Sequence, residues 1–218
     1  MIERIVPAEA ETAEAYGDLP EATLFPEEAL LVKSAVAQRR GEFTTARHCA
    51  RQALTRLGAP AGAILTGERG APLWPEGVVG SITHCAGYRA AVVARPAHVA
   101  AIGVDAEPAL PLPEGVLEAV ALPDEQIAVK ELLVTAPGVA WDRLLFSAKE
   151  SVYKAWFPLT RRFLEFEEAR LVFDPAGGTF TAHLLAGPAR AGGRTLHRFE
   201  GRWLSDGGIV LTSVTVPA

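Results

Sequence analysis

Between residues 78 and 105 the chain carries three strand-like runs, Val78–Thr83, Tyr88–Ala94 and Val99–Asp105, separated only by short connections. Connections of that length allow antiparallel pairing. With helical segments before and after them, the expected class is α+β. The third run opens with an apolar stretch, Val99 to Val104, that reads as a buried strand, and it leads into Gly-Val-Asp-Ala-Glu at 103–107. Side chains alternate along a strand, so Asp105 and Glu107 point to one face.

Residues 1–24 are acidic and weakly patterned. Pro26-Glu-Glu then opens a helix, because proline suits the first turn and acids favour the positive end of the dipole. That helix is expected to reach about Arg40 and to end at Gly41, with a second helix over about Thr44–Leu57 that closes at Gly58. A proline-rich segment, Pro108 to Pro113, reads as the joint between two halves, 1–107 and 108–218. Pro123-Asp-Glu starts another helix, to about Val134. A long one follows from about Ala140 to Trp156, stopped by Pro158. Strands are expected over Ala169–Phe173, Thr179–Ala186, His197–Leu204 and Ile209–Val216, with turns at 174–178 and 205–208. Each half is therefore helices followed by antiparallel strands, without an internal sequence repeat.

Composition narrows what such a chain does. A length of 218 residues fits one domain or two small halves sharing a core, and at 49% hydrophobic the chain can bury one. A formal net charge of −5 argues against a general nucleic-acid binder, although basic residues cluster locally, as for a small anionic ligand. No apolar run is long enough to span a bilayer and no secretory signal opens the sequence. Two cysteines, Cys49 and Cys85, argue against a disulfide framework, so the expectation is a cytoplasmic protein with reduced thiols.

Two stretches carry chemistry. Gly103 to Glu107 offers two carboxylates on one face, which suits a hard cation such as Mg²⁺. Phe-Ser-Ala-Lys-Glu-Ser-Val-Tyr-Lys-Ala-Trp, 146–156, adds Lys149, Glu150 and Lys154, with Glu150 and Lys154 four apart on one helix face. Together they supply three carboxylates and two lysines, which a divalent cation and a chain of phosphates require. Arg39, Arg40, Arg47, Arg51 and Arg69 are forks suited to phosphate oxygens; for Arg40 and Arg51 a solvated face is the expectation, and Arg47 at the edge of an apolar stripe also fits a snorkelling arginine. His84 reads as a phosphate donor rather than a zinc ligand, since adjacent His-Cys pairs lack the usual ligand spacing. A Walker loop, a Gly-x-Gly-x-x-Gly fingerprint and a Gly-x-Ser-x-Gly elbow are all absent.

Four motifs in order, Arg-Arg-Gly-Glu-Phe-Thr-Thr-Ala-Arg (39–47), Gly-Ser-Ile-Thr-His-Cys-Ala-Gly-Tyr-Arg (80–89), Gly-Val-Asp-Ala-Glu-Pro (103–108) and the 146–156 stretch, resemble the bacterial 4′-phosphopantetheinyl transferases of the Sfp/EntD type. The resemblance implies two similar α/β halves with coenzyme A in the cleft between them, each half packing helices on an antiparallel sheet. It implies transfer of 4′-phosphopantetheine from coenzyme A to a serine of an apo acyl or peptidyl carrier protein, releasing adenosine 3′,5′-bisphosphate, by a monomeric enzyme. Carriers of siderophore, other secondary-metabolite, fatty-acid or polyketide synthesis are all open. By the same resemblance Asp105, Glu107 and Glu150 are Mg²⁺ ligands, and Glu150 is also the base for the carrier serine. Lys149 and Lys154 contact the pyrophosphate, while Arg39, Arg47 and His84 contact the phosphates of coenzyme A, with Ser81 and Arg69 as softer transfers. Arg161, Arg162 and the 157–166 stretch are the expected carrier-docking surface, and an internal hydrophobic loop is the other reading of that stretch. Two other functions stay open: a metal-dependent hydrolase of nucleotide pyrophosphates, and a non-enzymatic coenzyme A or carrier-binding module.

Overall fold

The computed structural model describes residues 1–218. The N-terminal part holds β1 (Glu11–Ala15), α1 (Pro26–Leu31), α2 (Ala37–Arg56), β2 (Val79–Cys85) and β3 (Tyr88–Ala94). After these come β4 (Val99–Pro108), α3 (Val116–Val120), α4 (Pro123–Thr135) and α5 (Trp141–Thr160). The chain ends with β5 (Ala169–Asp174), β6 (Thr179–Leu184), a short hairpin of β7 (Ala189–Ala191) and β8 (Arg194–Leu196), β9 (Arg198–Asp206) and β10 (Ile209–Pro217). The strands form antiparallel sheets in the orders β1-β3-β2 and β4-β10-β9-β6-β5. The mixed, antiparallel class expected from the sequence is the one observed.

Burial explains the apolar run at 88–94. Every residue of β3 is buried, so its sequence does not alternate in polarity. Ala91 and Val93 meet α2 through Cys49, Ala53 and Leu54. Ala90, Val92 and Ala94 face the other way, into a core shared with Ile102, Val104 and Ala106 of β4 and with Ile209 and Leu211 of β10. The largest core lies beneath α5, where Leu144, Leu145, Ala148, Val152, Ala155 and Trp156 pack on the five-stranded sheet. Helix α5 presses on β4 at Gly103, where an added Cβ would lie 2.0 Å from the carbonyl oxygen of Ser151.

The seam between the sheets is made by side chains. The Ser81 hydroxyl accepts the Val104 N–H at 3.1 Å, and the Thr83 hydroxyl accepts the Ala106 N–H at 2.9 Å. Two hydroxyls at alternate positions on β2 thus replace a backbone ladder and satisfy buried donors on β4. The strand β4, placed with residues 1–107 by the sequence, is hydrogen-bonded into the five-stranded sheet of the second half.

One device occurs twice. Glu28, third residue of α1, accepts the Phe25 N–H that caps its helix, accepts the Ile64 N–H at 2.9 Å, and pairs with Arg51 of α2 at 2.9 Å. Glu125, third residue of α4, accepts the Leu122 N–H that caps its helix, accepts the Leu171 N–H at 2.7 Å, and pairs with Lys149 of α5 at 2.7 Å. Both carboxylates are buried, which is tolerable only because each is paired and hydrogen-bonded. Arg51, expected on a solvated face, is one of these tethers.

Several boundaries differ from the sequence reading. Helix α1 stops at Leu31, and α2 runs from Ala37 straight through Gly41. Gly41 is there for close approach: a Cβ at that position would lie 2.2 Å from the Asp18 carboxylate. Pro158 does not stop α5, which continues to Thr160 and is capped by Arg161 in the left-handed region. The proline removes one N–H from the helical ladder, and the helix runs only two residues beyond it. The strand His197–Leu204 begins at Arg198 and extends to Asp206. The strand β1, the short helix α3 and the β7–β8 hairpin were not expected.

Candidate active site

A cleft of about 660 Å³ opens between α2 and β2 on one side and α5 on the other. Arg39 and Arg47 reach it from α2, Arg69 from the loop before β2, Ser81 and His84 from β2, and Glu150 and Lys154 from α5. Seven residues singled out by the sequence, distant along the chain, therefore line one space of a size ordinary for ligand sites.

The first wall is cationic. Arg47 is buried, with its guanidinium 4.2 Å from the Phe43 ring centroid. Its Nε donates to the Ile64 carbonyl at 2.9 Å and Nη2 to the Thr66 hydroxyl at 3.3 Å, and burial pushes its pKa down to about 10. This is an arginine held rigid by its own end, with donors left over for a ligand. Arg39 donates to His84 Nε2, while the Glu42 carboxylate faces His84 Nδ1 at 3.3 Å. Burial, and then the nearby charge of Arg39, push His84 down to about 4. Arg69 takes a left-handed backbone, φ 51°, and sets its guanidinium 5.0 Å from the Phe163 ring across the cleft. Ser81 is engaged in the seam through its hydroxyl.

On the second wall stand Glu150 and Lys154, and behind them, outside the lining of the cleft, lie the carboxylates of Asp105 and Glu107. Lys154 Nζ donates to Asp105 Oδ1 at 2.7 Å and to the Val104 carbonyl at 3.0 Å. Asp105 Oδ1 also receives the Thr83 hydroxyl at 3.4 Å, whereas the buried Oδ2 has no partner. Burial, and then Asp105, raise the Glu107 carboxyl above its ordinary range, against the opposing pull of Arg143. Burial likewise raises Glu150, with Lys154 opposing and Asp105 and Glu107 reinforcing. Like charges at close quarters disfavour full ionisation. No three carboxylate, His or Cys side chains converge into a ready-made cluster.

Lys149 does not join these groups. Its ammonium is spent on Glu125 and on the carbonyls of Phe166 and Ala169, at 2.7 and 3.0 Å, and only 1% of its side chain is exposed.

Two family models match the chain. The 4′-phosphopantetheinyl transferase N-terminal domain covers residues 27–94, and the 4′-phosphopantetheinyl transferase superfamily covers 101–201. The 4′-phosphopantetheinyl transferase Svp of Streptomyces mobaraensis is 54% identical over 221 residues, covering 100% of this chain and 90% of that protein. The chain belongs to the 4′-phosphopantetheinyl transferases. Npt of Nocardia iowensis, with the same activity in its name, is 50% identical over 98% of this transferase and 99% of its own length. Enterobactin synthase component D of Salmonella austin is 30% identical over 84% of this transferase and 75% of its own length. No helix of the transferase is long and apolar enough to cross a membrane.

The sequence reading missed three residues of this transferase's site. Arg143 pairs with Glu107 at 3.0 Å and also holds the carbonyls of Leu110 and Pro111, so it fastens the segment after β4 to the first turn of α5. Its place one turn before the 146–156 motif was the available signal. Glu42 sits inside the 39–47 motif and faces His84. Tyr153 lines both the main cleft and a smaller pocket of about 110 Å³ beside Glu150, Phe163 and Phe166.

Proposed function

We propose that this transferase moves 4′-phosphopantetheine from coenzyme A to a serine hydroxyl of an apo carrier protein, with Mg²⁺ held by Asp105, Glu107 and Glu150. The observation that carries the reading is one cleft with guanidinium groups and an imidazole on one wall and Glu150 with Lys154 on the other, where Lys154 in turn holds Asp105 at 2.7 Å. A molecule bearing several phosphates at one end needs the first wall, and a hydroxyl nucleophile needs a base on the second.

The chemistry of the donors suits Mg²⁺, although the three carboxylates are near one another without converging on one point. Asp105, Glu107 and Glu150 offer hard oxygen ligands, and the buried, unpartnered Oδ2 of Asp105 is an atom that a cation would satisfy. When bound, Mg²⁺ would neutralise phosphate charge. Arg47 offers the N–H groups left after Ile64 and Thr66, and Arg39, Arg69 and His84 offer theirs from the same wall. Glu150 is the group that accepts the serine proton as the serine Oγ–phosphorus bond forms and the bond to adenosine 3′,5′-bisphosphate breaks. Lys154, already an ammonium donor at 2.7 Å to Asp105, is placed to shift a hydrogen bond to the departing phosphate oxygen. Lys149 is assigned to the α4 tether instead of the pyrophosphate.

Both walls come from one chain, which supports a working monomer, and we place its action in the cytoplasm. For the carrier, Phe163 is 43% exposed at the edge of the small pocket, with Arg161 and Arg162 beside it, while Phe157 and Leu164 turn inward. That keeps Arg161, Arg162 and Phe163 as the docking surface. If Arg161→Glu with Arg162→Glu leaves the carrier Michaelis constant unchanged, that surface is wrong. The likeness to enterobactin synthase component D puts siderophore-type carriers among the acceptors to try. The transfer itself is tested by chromatographic measurement of adenosine 3′,5′-bisphosphate with and without apo carrier. Release that requires the carrier and matches its loading one for one is expected. Release without carrier would make the protein a pyrophosphate hydrolase.

A further inference from the structure

The surroundings of His84 dictate its protonation. Nε2 faces the Arg39 guanidinium, which only donates, while Nδ1, 3.5 Å from the same guanidinium, lies 3.3 Å from the Glu42 carboxylate, which only accepts. One ring nitrogen must therefore carry a proton and the other a lone pair, which is the neutral imidazole in a single tautomer. Glu42 is itself fixed: its side chain is 12% exposed, and Oε1 accepts from Gln38 Nε2 at 3.0 Å. An incoming phosphate inverts the requirement at Nε2. Phosphate oxygens are acceptors, they draw Arg39 toward themselves, and they leave Nε2 facing a group that needs a donor.

We propose that Glu42 is a positioning residue that holds His84 ready to take up one proton from solution when the phosphates of coenzyme A enter the cleft. This rests on the reading of Arg39 and His84 as phosphate contacts. The proton binds the Nε2 lone pair, Nδ1–H stays on Glu42, and the imidazolium then lies between a carboxylate and a phosphate. The charged groups facing the ring from each neighbouring element agree with this. Arg39 on α2, Lys154 on α5 and Arg89 on β3 resist a positive charge there in the free protein, and Glu42 alone favours it. The ligand's anionic phosphates reverse that balance. The free imidazole, low at about 4 through burial and Arg39, has a wide range over which uptake can be observed.

Calorimetric titration of the full-length protein with coenzyme A at pH 7, in buffers of different ionisation enthalpy, counts protons directly. Phosphate groups of the ligand ionise near neutrality and contribute their own term, so the quantity read is the difference between wild type and His84→Gln. Wild type is expected to take up close to one proton more than His84→Gln. Its affinity should weaken by up to about tenfold per pH unit more steeply as pH rises. Glu42→Gln should bind coenzyme A with a smaller uptake, and Glu42→Asp should restore part of it. A purely structural role for Glu42 would lower the melting temperature and leave proton uptake unchanged, which would overturn the proposal. So would equal uptake in wild type and His84→Gln with coenzyme A still bound. Absence of coenzyme A binding to wild type would overturn the substrate reading itself, and this inference with it.

Discussion

Lys149→Met separates a structural lysine from a phosphate-binding one. The substitution keeps an apolar stem and removes the ammonium. In the native protein that ammonium bonds Glu125 at 2.7 Å and two backbone carbonyls, with 1% of the lysine and 2% of the glutamate side chain exposed. Its loss leaves a buried carboxylate without a countercharge and strands the two carbonyls. Breaking such a pair by removing one partner costs about 3–5 kcal/mol. For a domain of this size each kcal/mol lowers Tm by roughly 2–4 °C, so a fall of roughly 6–20 °C is expected. The assay is thermal unfolding alongside kcat/KM measured well below the lowered Tm. The account predicts a large stability loss with kcat/KM within a few-fold of wild type. Adding Glu125→Gln to Lys149→Met should recover part of the stability, because the two residues are coupled. An unchanged Tm with a hundredfold fall in kcat/KM would refute the reasoning and return Lys149 to the pyrophosphate.

Gly103→Ala should cost about 1–3 kcal/mol or more, since the new Cβ meets backbone atoms of Ser151 and Ala155 at 2.0 and 2.7 Å; chemical denaturation measures it. Lys154→Met should lower kcat by about 10²–10³, the scale for losing one donor aimed at developing charge, with a smaller effect on the Michaelis constant for coenzyme A. Stability should also depend on His84. Its folded-state pKa of about 4 lies below the ordinary 6.5, so its contribution is complete above about pH 6.5 and is lost as pH falls toward 4, by at most about 3 kcal/mol. Denaturation of wild type and His84→Gln at pH 7 and pH 4.5 isolates that contribution as the difference between the two proteins.

Local periodicity showed more of the site than of its scaffolding. Strand alternation is enough to pair Asp105 with Glu107, and four-residue helical spacing is enough to align Glu150 with Lys154. Lys149 and Arg51 read as ligand-facing and solvated respectively, yet both serve as tethers. What distinguishes them is a buried glutamate brought in from another helix, Glu125 or Glu28, and no spacing rule near the basic residue reveals it. The Pro-acid-Glu openings at 26–28 and 123–125 were legible as helix starts, but their glutamates' second partners are tertiary. Gly41 looked like a helix end because the close approach of Asp18 is not a local property. The strand β1 was hidden by its composition: Glu-Thr-Ala-Glu-Ala buries only Ala13 and Ala15, and Glu14 earns its place through Tyr88 and the amino terminus.

The central claim is that Glu150 on the cleft wall, with Asp105 and Glu107 behind it, serves transfer to a carrier serine. Intact-mass measurement of an apo carrier incubated with coenzyme A and Mg²⁺ tests it, with wild type, Glu150→Gln and Asp105→Asn in parallel and an EDTA control. The account predicts a gain of one phosphopantetheine with wild type. The gain should be abolished by EDTA, be absent from a carrier with its serine replaced by alanine, and be slowed at least a hundredfold in both variants. Full modification by either variant at the wild-type rate, or by wild type in EDTA, would contradict it.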